Sequence, residues 1–236
     1  MHYLLTNDDG IHAPGLAALA SVIQGIPGAR CTIVAPAVEQ SQCGHRVTTH
    51  EPLTLTQLTE NSYSVAGTPA DCVRVALFAL GLKPDMVLSG VNAGGNMGQD
   101  LYISGTVAGA REAAFHGLPA VAFSHYLLRN TPVDWGRTAQ WTQVLLQELQ
   151  KEELSDGEFW NVNYPHLPAG PCPMPIRLHS HVCRAPLNVA YAQEPSHGAG
   201  TLTLRYTASY ASRPVEPGSD VAACFGGLIS VTRLRI

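Results

Sequence analysis

The sequence predicts a doubly wound α/β fold, in which a mostly parallel sheet carries helices on both faces. Short apolar segments alternate with helical segments along the chain, and the first strand–helix–strand unit, residues 1–35, has the length of a parallel crossover. The exception is the stretch 167–218, where prolines are dense and Thr201 to Tyr206 alternate strictly. We therefore predict a single domain over residues 1–236, from which 167–218 protrudes as a β arm used for subunit contacts.

The first half of the chain supplies two strands, a hairpin and two helices. Residues 1–6 and 31–35 are short apolar runs, and between them apolar residues recur at helical spacing from Pro14 to about Gly25. Residues 47–66 alternate polar and apolar positions, which predicts a hairpin. The next helix should run to about residue 81. It opens with a capping-box pattern, formed by Thr68, Pro69 and Asp71.

The second half continues the alternation. The strand 85–89 is followed by a loop rich in glycine and asparagine, and a helix from 104 to about 116 then ends before a glycine and a proline. An amphipathic helix over 135–153 lies between two further short apolar strands. Those two strands are predicted at 120–124 and 160–163. The last predicted elements are a helix that begins at 219 and a strand at 228–232.

Bulk composition excludes several classes of protein. The net charge is −4 and no cluster of Lys or Arg occurs, which argues against binding long nucleic acid. There is no apolar run of membrane-spanning length, and the N-terminus reads as a strand instead of a signal peptide, so we expect a cytoplasmic protein without membrane contact. The six cysteines are scattered without zinc spacing, and the pair His179 and His181 lacks an acidic or thiol neighbour, so free thiols are expected.

Three loops should meet at the carboxyl edge of the sheet. They are the Asp8-Asp9 turn after the first strand, the loop with Ser41 after the second, and the stretch 89–106. Carboxylate, hydroxyl and amide oxygens suit a hard cation such as Mg²⁺, Mn²⁺ or Ca²⁺. Ser104-Gly105-Thr106 at a helix start suit an anion, and phosphate above all.

A hard metal ion beside an anion-binding site is the arrangement typical of metal-assisted hydrolysis of a phosphate ester. The stretch 89–106 has no lysine and no GxGxxG spacing, so a Walker A loop is excluded and a plain dinucleotide site is disfavoured. From residue chemistry alone two simpler readings stay open, namely a solvated Asx turn at Asp8 and a glycine-rich loop that only packs.

Several blocks, spread in order over nearly the whole chain, closely resemble the SurE family, the survival-protein nucleotidases. The most specific are the NDDG block at 7–15 and the SGTVA block at 102–108. The other matching blocks are residues 67–72, 89–96, 161–165 and 219–232.

The resemblance implies a Rossmann-like three-layer sandwich that forms a homodimer or homotetramer through its C-terminal arm. It implies release of phosphate from nucleoside 5′-monophosphates with one divalent cation per subunit, Mg²⁺ or Mn²⁺, and 3′-nucleotides and polyphosphate are further candidate substrates. For the mechanism we expect direct in-line hydrolysis, and an aspartyl-phosphate route through one of the two aspartates stays open. The implied metal ligands are Asp8, Asp9, Ser41 and Asn92. The implied catalytic residues are Asp8, Asp9 and Asn96, and Asn96 with Ser104, Gly105 and Thr106 would hold the phosphate.

The loop around Ser41 departs from the family pattern. The family usually has Ala-Pro-Asp-Arg before this serine and a glycine directly after it, whereas this chain has Ala37 and Val38 before it and Gln42 after it. The departure motivates a second hypothesis of a different class: a nucleotide-binding or regulatory protein that retains the site but has weakened or lost turnover.

Overall fold

A nine-stranded sheet occupies the centre of the protein in the computed structural model, which describes residues 1–128, 131–168, 172–195, 198 and 200–236. The strand order is β3-β4-β2-β1-β5-β6-β7-β11-β8. These strands are β1 (His2–Thr6), β2 (Arg30–Pro36), β3 (Leu55–Thr59), β4 (Ser62–Val65), β5 (Met86–Ala93), β6 (Ala120–His125), β7 (Glu158–Tyr164), β8 (Arg177–His179) and β11 (Ile229–Arg235).

Most neighbouring strands of this sheet are parallel. The run from β4 through β2, β1, β5 and β6 to β7 is parallel throughout. Only β3 against β4 and β11 against β7 are antiparallel, and β11 is parallel to β8 on its other side. The predicted mostly parallel α/β sheet is therefore confirmed.

The helices lie on both faces of the sheet because β-strand residues alternate in direction. On one face Tyr3 and Leu5 belong to the same apolar cluster as residues of α1 and α4. On the other, Leu4 belongs to a cluster with residues of α2 and α3. The helices are α1 (Pro14–Gln24), α2 (Pro69–Arg74), α3 (Gly105–Phe115), α4 (Trp135–Leu149) and α5 (Asp220–Phe225), with a π-helical turn at Val75–Ala79 and 3₁₀ turns at Gly98–Tyr102 and Tyr210–Ser212.

The capping box predicted at the start of α2 is present. The Thr68 hydroxyl accepts a hydrogen bond from the Asp71 backbone N–H at 3.2 Å, and the Asp71 carboxylate accepts one from the Thr68 N–H at 3.0 Å. By contrast, the predicted end of the strand at 85–89, which is β5, is too early. β5 continues to Ala93 because Asn92 and Ala93 pair with Ser124 and His125 of β6.

Two glycines allow backbone segments to approach closely around β5. A Cβ atom at Gly15 would lie 1.9 Å from the Val91 carbonyl oxygen, so only glycine lets the first turn of α1 pack against the end of β5. A Cβ atom at Gly90 would lie 2.2 Å from the Phe123 carbonyl oxygen. Gly90 therefore lets β5 approach β6 closely.

The predicted arm, 167–218, is not a single protruding element. β8 lies within it but belongs to the central sheet, because its backbone finds hydrogen-bond partners along β11. A separate antiparallel ribbon consists of β9 (Tyr191–Glu194) and β10 (Thr203–Tyr206), whose residues are almost all exposed. Residues 169–171, 196, 197 and 199 of the predicted arm lie outside the described residues. Its role in subunit contact stays a prediction.

All six cysteines are free, and Cys72, Cys183 and Cys224 are buried, as expected for thiols that pack as small apolar groups. None of the helices in the described ranges is long and apolar enough to cross a membrane.

Candidate active site

The predicted site residues come from segments that meet at the carboxyl edge of the parallel sheet. Asp8 and Asp9 follow β1, the loop with Ser41 follows β2, and Asn92 is near the end of β5. The first turn of α3 approaches the same edge. This placement is what the order of strands and loops in the sequence predicted.

Asp8 is buried, with 4% of its surface exposed. The Thr106 hydroxyl donates a short hydrogen bond to its Oδ1 atom, and the Asp8 backbone carbonyl accepts from the Gln40 N–H at 2.7 Å. The pKa of the Asp8 carboxyl is raised to about 6, because burial, with a smaller contribution from the charge of Asp9, outweighs the lowering effect of the hydrogen bond from Thr106. The carboxylate is therefore fixed in place and costly to keep charged without a cation.

Asp9 is half-buried, and a backbone group of β5 holds its carboxylate in place. Its Oδ2 atom accepts a hydrogen bond from the Ala93 N–H at 2.9 Å, which ties the turn after β1 to the end of β5. Burial raises the pKa of the Asp9 carboxyl, the bond from Ala93 lowers it, and the negative charge of Glu39 raises it. Adjacent carboxylates that disfavour each other's charge are a typical setting for a bound metal ion.

The start of α3 lies directly against Asp8. A Cβ atom at Gly105 would be 2.8 Å from the Asp8 Cβ and 2.9 Å from the Cys43 sulfur, so no larger residue fits between them. The Ser104 hydroxyl caps the helix by accepting from the Val107 N–H at 3.0 Å. The hydroxyls of Ser104 and Thr106 and the Val107 N–H are thus already in contact with the protein, and the Thr106 N–H acts on the Asp8 carboxylate. The Gly105 N–H and the positive end of the helix dipole are what the helix start offers an anion.

Asn92 presents an oxygen atom suited to a cation. Its Nδ2 group donates to the Gly94 carbonyl at 2.8 Å, which leaves the side-chain oxygen without a hydrogen bond among the described residues. The donor set of Asp8, Asp9 and Asn92 consists of oxygen atoms only, and it fits a hard divalent cation. No group of three His, Cys, Asp or Glu side chains that could hold a metal occurs within the described ranges, so the amide oxygen is needed to complete the set.

Asn96 is buried and held by a network that the sequence did not reveal. Its Nδ2 group donates to the Ser124 hydroxyl at 2.8 Å, and its N–H donates to the Asn163 Oδ1 at 2.8 Å. Its carbonyl accepts from the side-chain amides of Asn161 and Asn163, at 2.9 and 3.0 Å. The two asparagines at alternate positions of an otherwise apolar strand, β7, were the signal that could have predicted this support.

Ser41 lies in the same region but is exposed. Its hydroxyl donates to the Glu39 carboxylate at 2.6 Å, and the predicted role as a metal ligand is not tested by this contact. The loop is attached to the site through Gln40, bound to Asp8, and through Gly44, whose N–H donates to the Ile103 carbonyl at 2.9 Å. Gln42 has φ +59°, a left-handed conformation that favours the glycine usual at this position in the family.

A tyrosine from the segment after the ribbon reaches the glycine-rich loop. The Tyr210 hydroxyl lies 3.1 Å from the Gly95 carbonyl oxygen and 2.9 Å from the Asp100 Oδ2 atom. Cavities of about 490 and 500 Å³ lie on its two sides, one lined by Gln42 and Ile103 and the other by Gly94, Gly95 and Tyr126. Both have the size of a small-molecule pocket and adjoin segments of the site.

The fold and this edge together define a Rossmann-like α/β protein with a carboxylate pair beside the N-terminus of a helix. The family model of "Survival protein SurE" matches residues 3–184, and the chain belongs to that family. It is 45% identical to a putative 5′-nucleotidase of Nostoc sp., with all of both chains covered. It is 44% identical to the 5′-nucleotidase SurE of Geotalea uraniireducens, covering 100% of this chain and 93% of that one.

A solved structure agrees with the fold. The SurE protein from Aquifex aeolicus is 30% identical to this chain and superposes with a TM-score of 0.86. The match covers 100% of this chain and 93% of the other. The resemblance inferred from the sequence motifs is thereby confirmed.

Proposed function

We propose that this protein hydrolyses nucleoside 5′-monophosphates with the help of one divalent cation, Mg²⁺ or Mn²⁺. The observation that carries the proposal is the buried Asp8 carboxylate, adjacent to the half-buried Asp9 and in direct contact with the start of α3. The printed names of the relatives, which are 5′-nucleotidases, support the choice of substrate. The cation would be held by Asp8, Asp9 and Asn92, with Ser41 as a further candidate ligand.

When bound, the cation would polarise a phosphate oxygen and lower the pKa of a coordinated water molecule. The protein itself contributes the anion site. The Gly105 N–H at the start of α3 and the positive end of the helix dipole would bind the phosphate oxygens, and Asn96 would stabilise the charge that develops on them.

Asp8 is also suited to move a proton. Its buried carboxylate lies against the start of α3, and the hydrogen bond from the Thr106 hydroxyl fixes its orientation, so it is positioned to act as a general base. In the proposed direct mechanism Asp8 accepts the proton of the attacking water. Trapping of a phosphorylated enzyme would overturn that version in favour of an aspartyl-phosphate.

The cavities beside Tyr210 provide room for the nucleoside. They adjoin the glycine-rich loop and the Gln42 loop, and their walls combine aromatic side chains with backbone polar groups. A nucleotide with its phosphate at the start of α3 would extend its base toward this region.

The test is a panel of phosphate esters assayed with Mn²⁺ or Mg²⁺, with and without a chelator. We expect release of phosphate from nucleoside 5′-monophosphates that stops when the chelator is added. Parallel assays with 3′-nucleotides and polyphosphate define the range of substrates. Phosphate release that is absent from the whole panel, or that is insensitive to chelator, would refute the proposal.

A pair of matched substitutions then tests the site. Asp8→Asn keeps the shape of the side chain but removes the charge, and we expect kcat to fall by roughly a thousandfold or more. Asp156→Asn removes an exposed carboxylate from a distant turn and should leave kcat unchanged. Unaltered turnover in Asp8→Asn would remove this residue from the mechanism.

A second candidate function is nucleotide binding without turnover. It is favoured by the altered loop, in which Ser41 is bound to Glu39 and Gln42 occupies a position suited to glycine. Calorimetric binding of a nucleoside monophosphate in the absence of any phosphate release would support it. For the quaternary structure we propose a homodimer or homotetramer through the ribbon, which static light scattering would test.

A further inference from the structure

A third cavity, of about 640 Å³, lies away from the Asp8-Asp9 pair. It is lined by the 3₁₀ turn Gly98–Tyr102, by α3, by the start of β7, by the C-terminal end of β11, and by residues after β8. Among its lining residues are three arginines: Arg111, Arg184 and Arg235. None of the residues assigned above to the metal or the phosphate lines this cavity, so it is a separate feature of the molecule.

Within the described residues the guanidinium groups of these three arginines form no ion pair with a carboxylate, although the backbone N–H of Arg184 donates to the Glu216 carboxylate at 2.7 Å. Five other arginines in the described part of the chain form ion pairs with Asp or Glu: Arg74, Arg177, Arg205, Arg213 and Arg233. No such pair is recorded for the three that line the cavity, and the lining contains no acidic residue among those described. With three arginines and no acidic side chain among its described lining residues, the cavity has a positively charged lining that favours an anion.

Arg111 makes the case most clearly because it is partly buried. Burial lowers the pKa of its guanidinium. Its Nη2 group donates to the Leu101 carbonyl at 2.9 Å and its Nη1 group lies 3.4 Å from the His45 Nδ1, so its recorded partners are uncharged or only conditionally charged. A guanidinium has five donors in a fixed planar arrangement, which suits bidentate contact with a phosphate.

The remaining lining suits the rest of a nucleotide. Tyr102 is 77% exposed at the rim, and Phe159 and Val182 contribute apolar surface. Exposed aromatic rings beside guanidinium groups bind nucleobases by stacking. The volume also falls within the range of small-molecule sites.

We propose that this cavity binds a polyphosphorylated anion of nucleotide size, with its phosphates on Arg111, Arg184 and Arg235. The proposal is independent of the proposed hydrolase activity, since a ligand could bind here whether or not the Asp8-Asp9 site turns over. The shared chemistry is a chain of phosphates, supplied either by a nucleoside triphosphate or by inorganic polyphosphate.

The experiment is isothermal titration of the full chain with tripolyphosphate and, separately, with ATP, in the presence of a chelator that removes divalent cations. We expect saturable binding that weakens as salt is raised. Arg111→Gln and Arg235→Gln should each weaken binding about tenfold or more, because each removes a charge-assisted contact. Arg30→Gln, an exposed arginine outside the cavity, and Asp8→Asn, at the proposed active site, should leave this binding unchanged.

The proposal is overturned if neither probe binds at millimolar concentration, if the cavity variants bind as the wild type does, or if Asp8→Asn abolishes binding. Since Arg111 is partly buried, circular dichroism is used to check that the Arg111→Gln variant is folded. If it is not, Arg184→Gln and Arg235→Gln, at exposed positions, provide the test. Tighter binding of ATP than of tripolyphosphate, lost in Tyr102→Ala, identifies a nucleotide ligand; equal affinity identifies the phosphate chain alone.

Discussion

Arg213 contacts both carboxylate oxygens of Asp100, with Nη1–Oδ2 and Nη2–Oδ1 distances of 2.7 and 2.9 Å. The side chains are 4% and 13% exposed, so the pair is largely removed from water. The Nη1 group also donates to the Met97 carbonyl at 3.3 Å, and the guanidinium lies 4.1 Å from the Tyr210 ring centroid. The segment after the ribbon is thus fastened to the loop that carries Asn96.

Replacement of Arg213 should therefore affect both stability and the site. Arg213→Ala leaves Asp100 buried without its partner, and we expect the free energy of unfolding to fall by about 3 kcal/mol. Arg205→Ala is the matched control, because it breaks an exposed pair with Glu194 on the ribbon and should cost less than about 1 kcal/mol. Urea unfolding of both variants measures the difference, and equal losses would show that burial of the Arg213 pair is unimportant.

Gly105→Ala should reduce catalysis more than stability. The added methyl group would lie 2.8 Å from the Asp8 Cβ, and a displacement of a reacting group by about 1 Å costs roughly a hundredfold in kcat/KM. Gly136→Ala, in the first turn of α4, is the control, since its new Cβ meets its nearest atom at 3.5 Å. Steady-state kinetics on a nucleoside monophosphate decide the matter. Full activity in Gly105→Ala would mean that α3 does not fix the position of Asp8.

Gln42→Gly should stabilise the protein. A non-glycine residue in the left-handed region costs about 1 kcal/mol, and glycine removes that cost at φ +59°. Val38→Gly is the comparison within the same loop, at an exposed position without positive φ, where the added backbone freedom should destabilise. Denaturant midpoints of the two variants should shift in opposite directions. A loss of stability in Gln42→Gly would show that the Gln42 side chain contributes more than its backbone costs.

The lowered pKa of the Glu112 carboxyl predicts that the stability of the protein depends on pH. Burial by itself raises the pKa of this carboxyl, but hydrogen bonds from His45, Arg74 and His116 outweigh it and lower the pKa to about 2. A folded pKa below the unfolded value of 4.5 means that the stabilisation is complete above about pH 4.5 and is lost as the pH falls toward 2.

Glu112→Gln should therefore be less stable than the wild type by about 2 kcal/mol at pH 7, and the gap should shrink below pH 4.5. Unfolding by urea from pH 7 to pH 3 measures that gap. Glu148→Gln removes a carboxylate that is 42% exposed and paired with Arg177, and its effect should be small at every pH. A gap for Glu112→Gln that stays constant with pH would contradict the assignment.

Local chemistry explains which features could be predicted from the sequence. The capping box of Thr68 and Asp71 depends on residues three apart, and the strands of the parallel sheet depend on short apolar runs. The turn at Asp8 and Asp9 could be placed at the carboxyl edge because it directly follows a strand.

Features that depend on distant pairing could not be predicted. The strand β8 is three residues long and lies in a segment dense in proline, and only its partner β11, some 50 residues later, identifies it as part of the sheet. The support of Asn96 by Ser124 and Asn163 joins residues from three strands or loops. The ion pair of Asp100 and Arg213 spans more than a hundred residues, and an isolated sequence contains no local signal for it.

The position of β11 has a consequence for how the chain folds. This strand lies between β7 and β8, so β8 has no partner in the central sheet until β11 has paired with β7. During synthesis β8 emerges about 50 residues before the strand on which it depends, and its hydrogen-bonding groups meanwhile remain unpaired. The outermost strand, β8, should therefore be the last part of the sheet to acquire protection from hydrogen exchange. The central strands, including β1 with Asp8 at its end, should be protected long before it.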